Sequence, residues 1–192
     1  LNYTNTIDDR TYMTNNVYVS QYDFELFSNF TFFLEDSING DQIKQSEDRF
    51  MYGLNSTLHL NRELARRDID IALGIGYRGD EVNDVGLFNT INRSTIQDTV
   101  QLGDVRENNT YAFASADWQL GKLTINPGVR IDHFSFAYND ALADQYSTQK
   151  TEKATVSPKL NLLFQATDNL QPYVKAGKSF HSNDTRVIIE QS

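Results

Sequence analysis

Apolar and polar residues alternate with period two along most of this chain, in seven stretches. They predict β-strands over residues 17–35, 49–60, 67–78, 109–120, 123–137, 154–165 and 170–180, because successive side chains of a strand point to opposite faces. The intervening gaps are 36–48, 61–66, 79–108, 121–122, 138–153 and 166–169, so short gaps alternate with long ones. The long gaps are acidic or rich in Asn, and Asn39-Gly40 in the first is a turn signal. No helix-periodic segment with caps is present; Asn61–Arg67 comes nearest and is too short.

Sequential antiparallel strands return to the same edge at every second turn. One edge of this meander therefore carries only tight turns and the other only long loops. A soluble sandwich has no reason to sort its loops by length, whereas a transmembrane β-barrel does, with short turns inside the cell envelope and long loops outside. Alternation alone is equally compatible with a soluble antiparallel sheet that has one wet face.

The strand faces add to this. In the first stretch Tyr18, Ser20, Tyr22, Phe24, Leu26, Ser28, Phe30, Phe32 and Leu34 share a face expected to meet lipid, with Val17, Val19, Phe27 and Phe33 as exceptions on the other. Later stretches oppose Ile69, Ile71, Leu73, Ile75 and Tyr77 to Asp70, Ala72, Gly74, Gly76 and Arg78. They oppose Leu123, Ile125, Val129 and Ile131 to Asn126, Gly128, Arg130 and Asp132. Asp70, Asp117, Arg130, Asp132 and Lys159 are charged in mid-strand, which a wet or polar-filled barrel interior tolerates. Trp118, Tyr77 and Tyr173 fall near strand ends, where interfacial aromatic girdles form. Tyr111 and Phe113 fall on the polar face of their strand and leave its register open.

Composition changes the picture little. The net charge of -9 disfavours nucleic acid as a partner. The mean hydropathy of -0.53 does not separate a barrel from a soluble protein, since barrel strands show lipid only every second residue. There is no Cys, no apolar run long enough for a transmembrane helix, and no charged segment followed by an apolar one, so no signal peptide is expected within these residues.

Candidate chemistry is sparse. Gly74–Gly79 spells G-x-G-x-x-G, but the acidic Asp80-Glu81 that follows would repel phosphate and opens no helix. Two glycines on one face instead leave room for something packed against the wall. Arg78-Gly79-Asp80 is a chance tripeptide in this reading, and Asp8-Asp9 belong to a solvated leader. His59, His133 and His181 are too scattered for zinc. Of the six Asn-x-Ser/Thr triplets, at Asn2, Asn29, Asn55, Asn92, Asn108 and Asn183, two fall inside expected strands, which argues for chance. No catalytic residue, metal ligand or cofactor site is assigned, and the chain does not read as an enzyme.

The stretches Tyr22–Asp36 (YDFELFSNFTFFLED), Gly74–Asp80 (GIGYRGD), Ile125–Phe134 (INPGVRIDHF), Ser157–Phe164 (SPKLNLLF) and Thr167–Arg186 (TDNLQPYVKAGKSFHSNDTR) resemble the barrel of TonB-dependent outer-membrane receptors. The resemblance covers most of residues 17–186. It implies an all-β, up-and-down antiparallel meander, about seven strands of a 22-stranded barrel, with residues 1–192 all wall and no plug domain. It further implies the outer membrane of a Gram-negative bacterium, and uptake of a scarce nutrient such as an iron chelate, a cobalamin or a glycan. The implied partners are outer-membrane lipid, the receptor's own plug and, through it, TonB, together with a small nutrient ligand. Residues 79–108, 138–153 and 181–192 are the candidate ligand-facing regions, or equally an extracellular shield, and no single residue is assigned to the ligand. The excised wall is expected to self-associate. The alternative is a soluble β-rich adhesion or glycan-binding module, or a small independent barrel.

Overall fold

The computed structural model describes residues 1–145 and 147–180. They form one eight-stranded sheet in simple sequence order: β1 (Asn2–Asp8), β2 (Thr11–Ser28), β3 (Ile43–Leu64), β4 (Arg67–Ile91), β5 (Thr95–Leu120), β6 (Leu123–Asp140), β7 (Thr148–Phe164) and β8 (Tyr173–Gly177). Every neighbouring pair is antiparallel. The all-β meander expected from the alternation is present, with one strand more than the pattern shows. That strand, β1, lies in the supposed leader, and Asp9-Arg10 make its turn into β2, where the Asp8 carboxylate accepts from the Arg10 N–H at 2.7 Å. Its alternation was illegible because Asn2, Thr4, Asn5 and Thr6 are polar on both faces.

The two edges differ as expected in kind but not in detail. On one edge Asp9-Arg10, Ala65-Arg66 and Gly121-Lys122 are two-residue turns, and residues 165–172 close the last hairpin. Ala65 and Arg66 both have positive φ, 53° and 58°, the backbone of a mirror-image turn that suits strand twist. On the other edge the connections are 29–42, 92–94 and, among the described residues, 141–145 with Ser147. The region 79–108, expected as a loop, is instead a continuation of β4 and β5, paired through Ile91↔Thr95. Likewise 138–153 is mostly the ends of β6 and β7, paired to Asn139↔Thr148. β2 ends at Ser28, not at residue 35.

Register shows which residues share a face. Leu54, Tyr77, Ile75, Ala112, Ile131 and Val156 lie on one face. Asn55, Gly76, Tyr111, Asp132 and Thr155 lie on the other. The apolar face is bare, with Ile75 61% and Ile131 52% exposed, whereas the polar face holds Asp132 at 0%. A soluble protein does the reverse. On β4 this apolar face runs nine residues from Ile69, itself buried, to Tyr77, with Leu73 and Ile75 exposed between them, close to the ~9–11 residues with which a tilted strand crosses hydrocarbon. Beyond Tyr77 the same face turns polar, with Glu81 opposite Arg106 and Asn108 opposite Ser135.

One face assignment is reversed. Tyr18, Tyr22 and Phe24 pair with Gly53, Arg49 and Glu47, so they lie on the polar face, while Val17 and Val19 pair with Leu54 and Tyr52 on the apolar one. The apparent exceptions of the first stretch are therefore its lipid-side residues. The aromatics have polar-face tasks: Tyr18 covers Gly53, and the Tyr22 hydroxyl donates to Glu47 at 3.0 Å. Tyr173 also lies on the polar face, opposite Leu163, so it joins no lipid-side girdle. Trp118, opposite Ile69, and the Tyr52–Tyr77 pair (centroids 6.0 Å apart) do mark the two ends of the band.

Candidate functional site

The polar face is lined by side chains that satisfy one another across strands. Arg130 Nε and Nη2 donate to the Asp132 carboxylate at 2.7–3.1 Å, and Asn109 Nδ2 donates to Asp132 Oδ1 at 3.1 Å. The Arg130 guanidinium stacks 3.6 Å from the centroid of Tyr111, whose hydroxyl donates to Asn55. This network ties β3, β5 and β6. Gly74 and Gly76 make it possible: a Cβ at either would collide with the ring of Phe113 or Tyr111. The room those glycines leave is thus filled from the neighbouring strand. The mid-strand charges are matched too, with Asp70 accepting from Asn61 at 2.8 Å and Asp117 accepting from Asn126.

Above the band, on the same face, lies a charged cluster. Arg78 donates to Asp80 at 2.8 Å, Arg49 lies 3.7 Å from Asp80 and 3.3 Å from Glu47, and Glu107 is the register partner of Asp80. Burial, reinforced by the Asp80 charge, raises the Glu107 carboxyl above its usual range. The Arg78-Gly79-Asp80 tripeptide is therefore internal to a strand, with Asp80 buried and Gly79 beneath the Tyr52 ring.

The loop-bearing edge is organised by two carboxylates. Asp41 accepts from the N–H groups of Leu34, Glu35 and Asp36 at 2.7–3.2 Å, and Asp36 accepts from those of Ile38 and Asn39 at 2.9 Å. These backbone donors hold both carboxyls below the usual range. Phe32 sits at φ 60° and Gly40 at φ 83°, and only the second is a residue that adopts this backbone freely. A cleft of about 590 Å³ lies under the loop against β3, β4 and β5.

Of the expected ligand-facing regions, 79–108 is a hairpin whose strands run fourteen residues past Tyr77 to Ile91, roughly 45 Å along the strand. Residues 138–153 supply a short tip, and 181–192, with His181 and Asn183, lie outside the described residues. Loop 29–42 lies outside those expected regions, because the alternation predicts a strand through to residue 35; the run Phe32-Phe33-Leu34, which breaks the alternation, is the signal of the loop. Among the described residues no group of three or more His, Asp or Glu side chains could hold a metal. Nor, among the described residues, is any helix long and apolar enough to cross a membrane.

A sheet with a bare apolar band on one face, a hydrogen-bonded polar face and long hairpins on a single edge is part of the wall of a transmembrane β-barrel. The family model for TonB dependent receptor-like β-barrels matches residues 1–188, and the chain belongs to that family. Solved structures share the fold at low sequence identity. The ferric citrate transporter FecA, unliganded, is 13% identical with a TM-score of 0.76, over 92% of this chain and 26% of that one. The ferric-catecholate import receptor Fiu of E. coli K12, open form, is 13% identical with a TM-score of 0.66, over 92% and 34%. BauA, the ferric preacinetobactin receptor of Acinetobacter baumannii, is 11% identical with a TM-score of 0.62, over 90% and 28%. The chain thus spans about a quarter to a third of these receptors. None of the curated proteins matches the sequence.

Proposed function

We propose that this chain is wall from an outer-membrane receptor that takes up a scarce nutrient, an iron chelate before a cobalamin or a glycan. The observation that carries the reading is the single sheet, apolar over nine residues on one face, exposed at Leu73 and Ile75 within them, and polar above and behind it, in a family of transport receptors. Family members with this fold include importers of ferric citrate, ferric catecholates and ferric preacinetobactin by their descriptions, which favours iron. In this reading the apolar face meets outer-membrane lipid and the polar face meets the receptor's own plug, through which TonB acts. Loop 29–42 and the β4–β5 hairpin face the nutrient. No catalysis is assigned.

The test is uptake of radioactive iron by cells that lack other outer-membrane iron receptors and express the full-length parent protein. Uptake of at least one ferric chelate that disappears on deletion of TonB is expected. No TonB-dependent uptake of any ferric chelate, with cobalamin or a glycan taken up instead, would overturn the iron assignment and keep the receptor. The isolated wall, with its apolar face uncovered, is expected to self-associate or require detergent; a monomer in plain buffer by light scattering would count against the membrane reading.

A further inference from the structure

Loop 29–42 presents large apolar side chains to solvent where lipid cannot reach them. Phe30 is 88% and Ile38 85% exposed, and Phe32, Phe33 and Leu34 are exposed between them. The loop joins β3 at Ile43, nine residues above Tyr52 at the rim of the apolar band, about 30 Å along the strand. Contiguous exposed apolar residues mark an interaction site, and this one is held in shape by the Asp36 and Asp41 backbone bonds rather than left free to collapse.

The loop overhangs the cleft of about 590 Å³, to which Phe30 contributes, and that volume suits a small organic ligand. The cleft lies on the polar-face side, since Ile43, Asn89 and Asp98 are register partners there. Among the described residues its charge is one-sided: Glu35, Asp36, Asp41 and Asp98 line it and no Lys or Arg does. The cations of this end are turned away. Lys44 and Arg93 both lie over the Phe27 ring, at 5.7 and 5.9 Å, and Lys44 pairs with Glu25 at 2.7 Å.

We propose that loop 29–42 and the cleft beneath it form a subsite for a ligand with an apolar body and a neutral or positive charge, and that they select against polyanionic chelates. This rests on the receptor reading above and narrows its substrate class. The exposed aromatics supply contact area to alkyl or aromatic parts of the ligand. They also lower the local dielectric, so the carboxylates attract an ammonium and repel a carboxylate more strongly than open water would allow.

The experiment uses the purified full-length receptor in detergent at low salt. One ferric trihydroxamate carrying a pendant ammonium is compared with its acetylated (neutral) and succinylated (anionic) forms, by quenching of intrinsic fluorescence. The cationic form is expected to bind about ten times more tightly than the anionic form, with the difference shrinking several-fold in Asp98→Asn and in Glu35→Gln. Phe30→Ser is expected to weaken all three forms together. The anionic form binding best, or a cation-to-anion affinity ratio unchanged in both carboxylate variants, would overturn the proposal.

An iron-free arm separates its failure from failure of the iron reading. Rhodamine 6G, an apolar cation, is expected to bind in a manner lost in Phe30→Ser and weakened in Asp98→Asn, while anionic fluorescein does not bind. That result without binding of any ferric chelate would overturn iron and retain the charge preference. Equal binding of the two dyes would overturn the preference.

Discussion

Arg130 and Asp132, two residues apart on β6, point to the same face and close a bidentate pair at 2.7–2.8 Å that leaves Asp132 without exposed surface. Asn109 from β5 completes the carboxylate's shell. Removing the carboxylate leaves the buried Asn109 amide without its acceptor, while Arg130, whose side chain is 39% exposed, can be solvated. Asp132→Ala in the full-length receptor is therefore expected to cost about 2 kcal/mol, read as a lowered thermal midpoint in detergent. Asn109→Ala, which removes one donor only, should cost roughly 1 kcal/mol. Equal losses in both would show that the ion pair has no special weight.

The Gly74–Phe113 contact predicts a collision rather than a cavity. A Cβ at residue 74 would meet the Phe113 ring, which lies directly opposite across β4 and β5. Gly74→Ala should destabilise by about 1–3 kcal/mol, the usual cost of overpacking. The double variant Gly74→Ala with Phe113→Ala should recover part of it, giving a coupling energy that a denaturation cycle measures. Additive losses would mean that the cost at residue 74 does not come from the Phe113 ring.

Depth along β6 and β4 gives a second gradient. Val129 lies on the apolar face in the middle of the band, in one register row with Ala114 and Leu73, whereas Glu81 lies on the same face beyond the Tyr77 rim. Val129→Arg should cost about 2–4 kcal/mol and Glu81→Arg no more than ~1 kcal/mol, as charges do across a bilayer. Urea unfolding of the receptor in lipid vesicles distinguishes them. Similar costs at both positions would remove the membrane from that face.

The same gradient explains how far the sequence could be read. Within the band the two faces have opposite demands, lipid on one and polar partners on the other, so Ile69 to Tyr77 alternates cleanly and its strand was legible. Past the rim both faces are wet. There 79–91 and 95–108 still pair, with three register shifts at Val82/Val85, Leu87/Phe88 and Asn89/Thr90, but nothing obliges them to alternate, and the stretch looks like a loop. β1 escaped for the same reason. Tyr18, Tyr22 and Phe24 misled because an aromatic ring serves equally to meet lipid or to roof a glycine and reach an arginine. Only register, through Gly53 and Arg49, separates those uses. Arg130 and Asp132 stood out as mid-strand charges, while their pairing with Asn109 and Tyr111 depends on contacts about twenty residues apart.

Loop 29–42 carries its own pH dependence. Backbone N–H donors hold the Asp36 and Asp41 carboxyls below the usual range. A depressed carboxyl stabilises the folded form above its unfolded-state value, and that contribution fades as pH falls through the lowered folded-state value. The loop should stay ordered from neutrality down to about pH 4, the ordinary Asp value, and loosen below it. Amide exchange of Leu34, Glu35 and Asp36, corrected for intrinsic rate, should show protection falling only in that acid range. Protection that falls between pH 7 and 5 would place the control elsewhere.

The turn at Ala65-Arg66 works against its own residues. Both take positive φ, a backbone that costs an ordinary L-residue roughly 1–2 kcal/mol and that Asn and Gly adopt far more readily. The β3–β4 register across it is complete down to Leu64↔Arg67, so the strain is borne by pairing on either side and not by a bulge. Replacing the pair with Asn-Gly should leave register and fold unchanged and raise stability by about 1 kcal/mol, part of the relief being offset by the greater unfolded-state freedom of Gly. A higher midpoint in thermal unfolding of the full-length receptor is the expected readout. An unchanged midpoint would mean that the strain is already relaxed by partners of Ala65 and Arg66 elsewhere in the closed barrel.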